Sequence, residues 1–332
     1  MTDDEYSLTL FDRLNVIRDT ITKQGEDKFY ISFSGGKDST VLHHLVDMAL
    51  PNNKIPRVFI NTGIEYMDIV KFVKEIADER FVLLQNRNNI RNTLNEYGYP
   101  FKSKEYANCL KVYQKHADRI DPYLKECTEH PELLEDWEYI HNLPVNVKYV
   151  VCQFFGVRER ERVVSTFTKG VVPKTLRYQF RQDFKLKISD MCCVKMKEEP
   201  LNRWQKENNK PIKMTGIMAE EGGRRRSAKC IVTKGNKVKA FQPLAVMSKE
   251  FESKFIEKEN IKLCRLYGEP FNFERTGCKG CPFALHLQEQ LELMEKYLPN
   301  ERKQCEIIWK PVYEEYRRIG YRLDPVEQTK LF

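Results

Sequence analysis

The chain has 332 residues, 41% hydrophobic and 31% charged, with a formal net charge of +8; this suffices for one large core with insertions, or for two modest domains. No run of 18 or more apolar residues offers a membrane span, and Asp3, Asp4 and Glu5 stand where a secretory leader needs basic residues, so neither membrane insertion nor export is expected. Ten cysteines without a leader point to a reducing, cytoplasmic setting in which thiols stay reduced or bind metal, and the positive surplus suits an anionic ligand without identifying one.

In chain order, residues 7–24 place Leu8, Phe11, Leu14, Val16, Ile17 and Ile21 near helical spacing, with Gly25 as a stop. The apolar run 28–33 predicts a strand, 34–37 a glycine turn, and 39–50 a helix ended by Pro51. The pattern recurs with a strand at 57–60, a turn at 61–63, a helix at 65–77 and a third strand at 80–84. Units of this kind build an α/β fold, an open, doubly wound, mostly parallel sheet with helices on both faces. Residues 89–143 show helical character alone and read as an insertion. A basic connecting stretch then leads to a helix over 195–207, a strand over 212–217 and a β-hairpin within 229–241 about Lys234-Gly235-Asn236. Helices follow over 248–259 and 285–319. The expected organisation is an α/β domain over 1–284 with its helical insertion, and a helical C-terminal extension over 285–332.

Ser34-Gly35-Gly36-Lys37-Asp38-Ser39-Thr40 joins the first strand to a helix, so backbone N–H groups and the positive helix end face one spot. Gly35 and Gly36 let the backbone approach a phosphate, Lys37 supplies charge, and Ser34, Ser39 and Thr40 supply hydroxyls. Lys37 and Asp38 are the candidate catalytic pair. The Asp after the lysine separates this loop from a Walker A sequence, and the spacing is not that of a dinucleotide fingerprint. The plain alternative is a turn that merely joins strand to helix.

Cys192 and Cys193 are adjacent, and Cys278-Lys279-Gly280-Cys281 is a distant Cys-x-x-Cys. Structural zinc usually takes two Cys-x-x-Cys knuckles, whereas adjacent cysteines reach two iron atoms of a cubane more readily, which favours a 4Fe-4S cluster over zinc. Buried cysteines that act as small hydrophobes are the remaining alternative, and the one favoured for Cys109, Cys127, Cys152, Cys230, Cys264 and Cys305. Between Gly216 and Arg226, carboxylates stand beside three arginines, whose planar forks suit phosphate or sulfate; a solvated charged loop would look the same.

The loop at 34–39 resembles the PP-loop of the N-type ATP pyrophosphatase superfamily. Asn61-Thr62-Gly63 resembles the Asp-Thr-Gly of its PAPS reductase-like family, with Asn in place of Asp, and the Cys-Cys…Cys-x-x-Cys pattern resembles that of assimilatory APS reductases. The resemblance implies an adenine nucleotide alpha hydrolase-like fold, with ATP or a sulfonucleotide held by residues 34–40 and by Asn61, Thr62 and Gly63. It implies substrate contacts from Lys104, Gly216, Glu221, Arg224 and Arg225, a 4Fe-4S cluster on Cys192, Cys193, Cys278 and Cys281, and Mg2+ as a companion ion. Gly222 stands where the family has Ser. The family's C-terminal Glu-Cys-Gly-Leu-His segment is missing from the end of the chain, Asp324-Pro325-Val326-Glu327-Gln328-Thr329-Lys330-Leu331-Phe332. The resemblance then implies cleavage of ATP at the α-phosphate, with pyrophosphate release, ahead of sulfur transfer. Two alternatives remain: reduction of APS or PAPS with a thiol from a partner or from Cys305, and a non-catalytic nucleotide sensor or nucleic-acid binder. The partners implied are an adenine nucleotide, a sulfur donor or thioredoxin-like reductant, and a nucleic-acid acceptor.

Overall fold

The apolar runs and glycine turns of the first 85 residues become a repeating strand, loop and helix. A computed structural model describes residues 1–86, 88–160, 163–166, 172–222 and 225–325. In chain order the elements are α1 (Asp3–Gln24), β1 (Phe29–Ser32), α2 (Lys37–Ala49), β2 (Arg57–Asn61), α3 (Met67–Ile76), β3 (Phe81–Gln85), α4 (Ile90–Tyr97) and α5 (Lys104–Glu129). Then follow α6 (Trp137–Asn142), α7 (Val145–Phe155), β4 (Val157–Arg160), β5 (Val163–Thr166), α8 (Met191–Cys193), α9 (Glu199–Glu207) and β6 (Ile212–Met214). The remainder is β7 (Ile231–Lys234), β8 (Lys237–Phe241), α10 (Lys249–Lys258), α11 (Leu287–Tyr297) and α12 (Pro299–Ile319).

Packing gathers these elements into two compact units. The first comprises Met1–Asn88 and Met196–Lys279; the second comprises Asn89–Lys195 and the chain from Gly280 onward. By this division the inserted segment reaches Lys195, where sequence periodicity marks 143, and the helical end is grouped with it.

The first unit is built on a six-stranded sheet of order β3-β2-β1-β6-β8-β7. β1 runs parallel to both β2 and β6, β2 to β3 and β6 to β8, while β7 closes the edge as the antiparallel arm of a hairpin. The alternation of β1 explains why both faces are covered. Tyr30 turns to one face and packs with Val58, Leu201 and Trp204, seating α9 there. Its neighbours Phe29 and Ile31 are equally buried and turn to the other face, where Phe33 meets His43 of α2 ring to ring at 6.1 Å. The α2 side carries Val41, Leu42, Leu45 and Val46, all fully buried. Buried Arg57 joins α2 to β2: it donates to Asp47 Oδ1 at 2.5 Å, to Asn53 Oδ1 at 2.8 Å and to His43 Nδ1 at 3.1 Å. A buried guanidinium requires such a set of acceptors.

In the second unit α5 packs along α7, and Tyr106, Tyr113 and Phe180 form an aromatic core between them and the following segment. Trp309, Tyr313 and Tyr316 bury one face of α12, and Tyr316 Oη donates to Pro282 O at 2.9 Å. The stretch after α7, expected as a connection, contains an antiparallel pair, β4 with β5. Among the described residues no helix is long and apolar enough to cross a membrane.

Candidate active site

The chain order of the sheet reverses at β1. The crossover after β1 leads outward to β2, whereas β6, on its other side, arrives much later in sequence. Loops leaving the carboxyl ends of two such strands diverge and leave a crevice, the usual ligand position of open α/β sheets. The loops concerned are 33–36 and 215–218, and the crevice is a cleft of about 250 Å3. Ser34 and Gly36 line it from the first loop, Lys37, Asp38 and Ser39 from the first turn of α2, and Thr215, Gly216 and Ile217 from the second loop.

The loop conformation is fixed from within. Gly35 has φ +71°, and a side chain there would meet Ile69 and Val73 of α3 at 2.9 and 2.8 Å, so this position admits only glycine. Ser39 Oγ donates to Gly36 O at 2.8 Å and accepts from Ser34 N at 3.2 Å, and Ser34 Oγ accepts from Gly36 N at 3.2 Å. Thr40 Oγ1 donates to Gly36 O at 3.0 Å. Ser34, Ser39 and Thr40 are therefore loop-shaping residues. The first intrahelical bond of α2 runs from Thr40 N to Gly36 O, so the amides of Lys37, Asp38 and Ser39 precede it and have no acceptor within the helix. Gly216 completes the fit from the opposite wall: a Cβ on it would lie 2.5 Å from Asp38 O.

The charges in this cleft are tightly paired. Lys37 Nζ lies 2.9 Å from Glu252 Oε2, on α10, and Glu252 is only 2% exposed. Burial works against the charge on Lys37, but the hydrogen bond and charge of Glu252 leave its ammonium above the ordinary value. Burial pushes the Asp38 carboxyl up, against the pull of Arg275 and Lys37. Burial and the charge of Asp38 push Glu252 up as well, and Glu252 Oε1 has no hydrogen-bond partner among the described residues. Glu221 is gripped by two arginines, Arg225 and Arg275, and Arg225 also lies 3.9 Å from Asp38 Oδ2.

The matched segments decide the family. Residues 28–129 and 149–284, more than half of the chain, match the phosphoadenosine phosphosulfate reductase domain. The chain belongs to the phosphoadenosine phosphosulfate reductase domain family. Among curated proteins, this family member is 35% identical over 98 residues to an uncharacterised protein of Methanocaldococcus jannaschii, covering 27% of this chain and 23% of that one. It is 27% identical over 137 residues to a glutamine-hydrolysing GMP synthase of Thermosipho africanus, covering 37% and 26%. The matched part thus spans about a quarter of the length of each curated relative. Among solved structures, a phosphate complex of phosphoadenylyl-sulfate reductase from Candida auris superposes with TM-score 0.41 at 10% identity, over 84% of this chain and 96% of that one. The U34-tRNA thiolase NcsA from Methanococcus maripaludis, with its [4Fe-4S] cluster, superposes with TM-score 0.37 at 14% identity, over 95% and 80%.

The family's other motif positions are distributed more widely. Asn61 ends β2 and Thr62 and Gly63 follow it, but none of the three lines the cleft. Thr62 is buried, its hydroxyl donates to the buried Glu65 carboxylate at 2.8 Å, and Gly63 N donates to Asn61 Oδ1 at 3.0 Å. Glu65 in turn meets Lys197 at 3.3 Å and pairs by a β-bridge with Cys278. Lys104 opens α5 in the second unit and is exposed. Arg224 lies outside the described residues.

Cys278 belongs to the first unit, and Cys192, Cys193 and Cys281 to the second. Cys192 is buried, and the other three are half-buried. Among the described residues no three His, Cys, Asp or Glu side chains stand close enough to share an ion, so no three of these four cysteines are grouped; what speaks for a cluster is the donor set alone, two adjacent thiols at the short helix α8 and two flanking a left-handed turn at Gly280. That all-thiol set suits an iron–sulfur cluster. Cys305 is fully buried in α12.

Sequence reasoning missed Tyr267, Glu274, Arg275 and Thr276, which line the cleft, and Glu252. Tyr267 Oη and Thr276 Oγ1 are 2.7 Å apart. Arg275 and Thr276 stand just before the Cys-x-x-Cys, separated from it by Gly277, and that nearness was the available signal.

Proposed function

We propose that this protein is an adenine-nucleotide-dependent enzyme of sulfur chemistry that binds ATP at the glycine loop and cleaves it at the α-phosphate. The observation that carries the reading is the cleft at the chain reversal, in which the first-turn amides of α2, which have no acceptor within the helix, stand beside Lys37, Arg225 and Arg275. A polyphosphate is the ligand that such amides and guanidinium forks accommodate together. The nucleophile of an acceptor forms a bond to the α-phosphorus, the bond to the bridging oxygen breaks, and pyrophosphate leaves. Lys37 moves from Glu252 to the phosphates and stabilises the developing charge, an electrostatic role that needs no proton transfer. Asp38 is the cleft carboxylate that would face Mg2+, a hard cation that takes oxygen ligands. Glu221 is a positioning residue that holds both arginines.

Cys192, Cys193, Cys278 and Cys281 would hold a 4Fe-4S cluster, which supplies electron transfer or a thiophilic iron site when bound. A sulfide-level sulfur donor then attacks the activated atom of the adenylated acceptor, forming the bond to sulfur as the bond to the adenylate oxygen breaks and AMP leaves. Reduction through Cys305 is the weaker reading, because a thiol buried in the middle of a helix cannot reach a substrate. The test is release of pyrophosphate from ATP by anaerobically purified protein with candidate acceptors, set against release of sulfite from APS or PAPS with thioredoxin. ATP binding that survives Lys37→Ala unchanged would remove the foundation of the proposal.

A further inference from the structure

One segment of this chain is rich in positive charge and free of acidic residues. From Gly222 through Lys249 there are eight lysines and arginines and no aspartate or glutamate. It contains the hairpin β7–β8, where Lys234, Lys237 and Lys239 are all exposed, as are Arg226 and Lys229 just before it. None of these five has an ion-pair partner among the described residues. Lys234 and Lys237 are direct cross-strand partners, a like-charge pairing that destabilises an isolated hairpin. Lysine on an edge strand commonly guards against aggregation; that explains Lys234 on β7, but not Lys237 and Lys239 on the inner strand β8.

A second cleft of about 590 Å3 lies at the root of this hairpin, lined by Ile217, Arg225, Lys229, Val232, Thr233 and Gln242 among others. It shares Ile217 and Arg225 with the glycine-loop cleft, so whatever occupies it is adjacent to the phosphate site. Its lining combines apolar surface from Ile217 and Val232 with the hydrogen-bonding groups of Thr233 and Gln242. The volume lies within the range of about 300–1,000 Å3 typical of small-molecule sites, enough for one nucleoside. Val232 and Ile231 are 37% and 41% exposed, an opening through which an unstacked base would enter.

We infer that the β7–β8 hairpin and the cleft at its root bind a single-stranded segment of nucleic acid, the lysines taking its phosphates and the cleft one unstacked nucleoside. As an acceptor site this rests on the nucleotide reading above; as a binding surface it stands by itself. An acidic peptide would use the lysines but not the cleft, and a duplex would keep its bases stacked and out of it.

The experiment is fluorescence anisotropy on the full chain with a labelled oligouridylate of about twelve nucleotides, across a salt series, with ATP binding measured in parallel. Lys234→Gln/Lys237→Gln/Lys239→Gln changes only exposed side chains. It is expected to weaken oligonucleotide binding about tenfold or more and to lower the slope of log Kd against log salt by about 2, with ATP affinity unchanged. Val232→Glu, which keeps every lysine, is expected to weaken binding by placing a carboxylate in the cleft. Lys37→Ala is expected to abolish ATP binding and leave oligonucleotide binding intact. Oligonucleotide binding that responds to the lysines in a protein that binds no ATP would support the surface and defeat the nucleotide reading alone. Unchanged binding by the triple variant or by Val232→Glu, or equal competition by polyglutamate or phosphatidylserine vesicles, would overturn the inference.

Discussion

Lys37 Nζ contacts Glu252 Oε2 at 2.9 Å, tying the first turn of α2 to a buried carboxylate on α10. Lys37→Ala leaves that carboxylate buried beside Asp38 without its cation. Loss of one partner of a partly buried pair costs about 1–3 kcal/mol. Chemical denaturation is expected to show this loss, and titration calorimetry to show loss of nucleotide binding. Glu252→Gln keeps a hydrogen bond to Lys37 and is expected to cost less.

The buried carboxyls carry a pH signature. Asp38 and Glu252 both hold their protons in the folded chain above their ordinary values of 3.8 and 4.5, chiefly because they are buried. The folded state therefore binds more protons than the unfolded one in that range, and stability falls as pH rises from the ordinary values through the raised ones. Asp38→Asn removes one of these carboxylates. The variant is expected to lose less stability than the wild type as pH rises above the ordinary carboxylate range, in thermal melts at matched ionic strength, while nucleotide turnover drops.

The walls of the cleft touch at Gly216. A methyl group there would sit 2.5 Å from Asp38 O, a backbone atom that cannot turn aside. Gly216→Ala is expected to destabilise the chain by about 1–3 kcal/mol and to weaken nucleotide binding by displacing the first turn of α2. Thermal melts and calorimetry check both effects.

Arg275 and Arg225 share the Glu221 carboxylate. Arg275→Ala is expected to reduce affinity for a phosphate-bearing nucleotide about tenfold, the value of one charge-assisted hydrogen bond. Arg275→Lys is expected to restore only part of it, because an ammonium lacks the two-point fork. Adenosine, which carries no phosphate, should bind the variant and the wild type alike.

For the cysteines, iron and sulfide content after anaerobic reconstitution, with the visible absorption spectrum, is the readout. Serine at Cys192, Cys193, Cys278 or Cys281 is expected to abolish the cluster. Cys109→Ala is expected to leave it intact, since burial holds the Cys109 thiol protonated, well above its ordinary value.

Where the sequence was informative, one local signal sufficed. The apolar run ending at Phe33, followed by Gly35 and Gly36, marks strand and loop because each residue type has a single favourable use there. Lys234-Gly235-Asn236 marks the hairpin turn for the same reason. The pair β4 and β5 was hidden because each strand is only 4 residues long and mixes charges with valines. α7 was hidden because Val145, Val147, Val150 and Val151 carry strand propensity that helix packing overrides. Glu252 looks like a surface glutamate in an amphipathic helix, and only the approach of α2 to α10 shows that it is buried. Arg275 and Thr276 lie in an irregular segment with no periodicity to mark them. In each of these cases the missing information is tertiary: which distant segment lies alongside.

The most direct measurement is calorimetric titration of the full chain with Mg2+ and ATP, for the wild type and for Lys37→Ala. The account predicts one saturable site that is lost in the variant and competed by pyrophosphate. A wild type that shows no heat of binding, or a variant that binds ATP as tightly as the wild type, would contradict it.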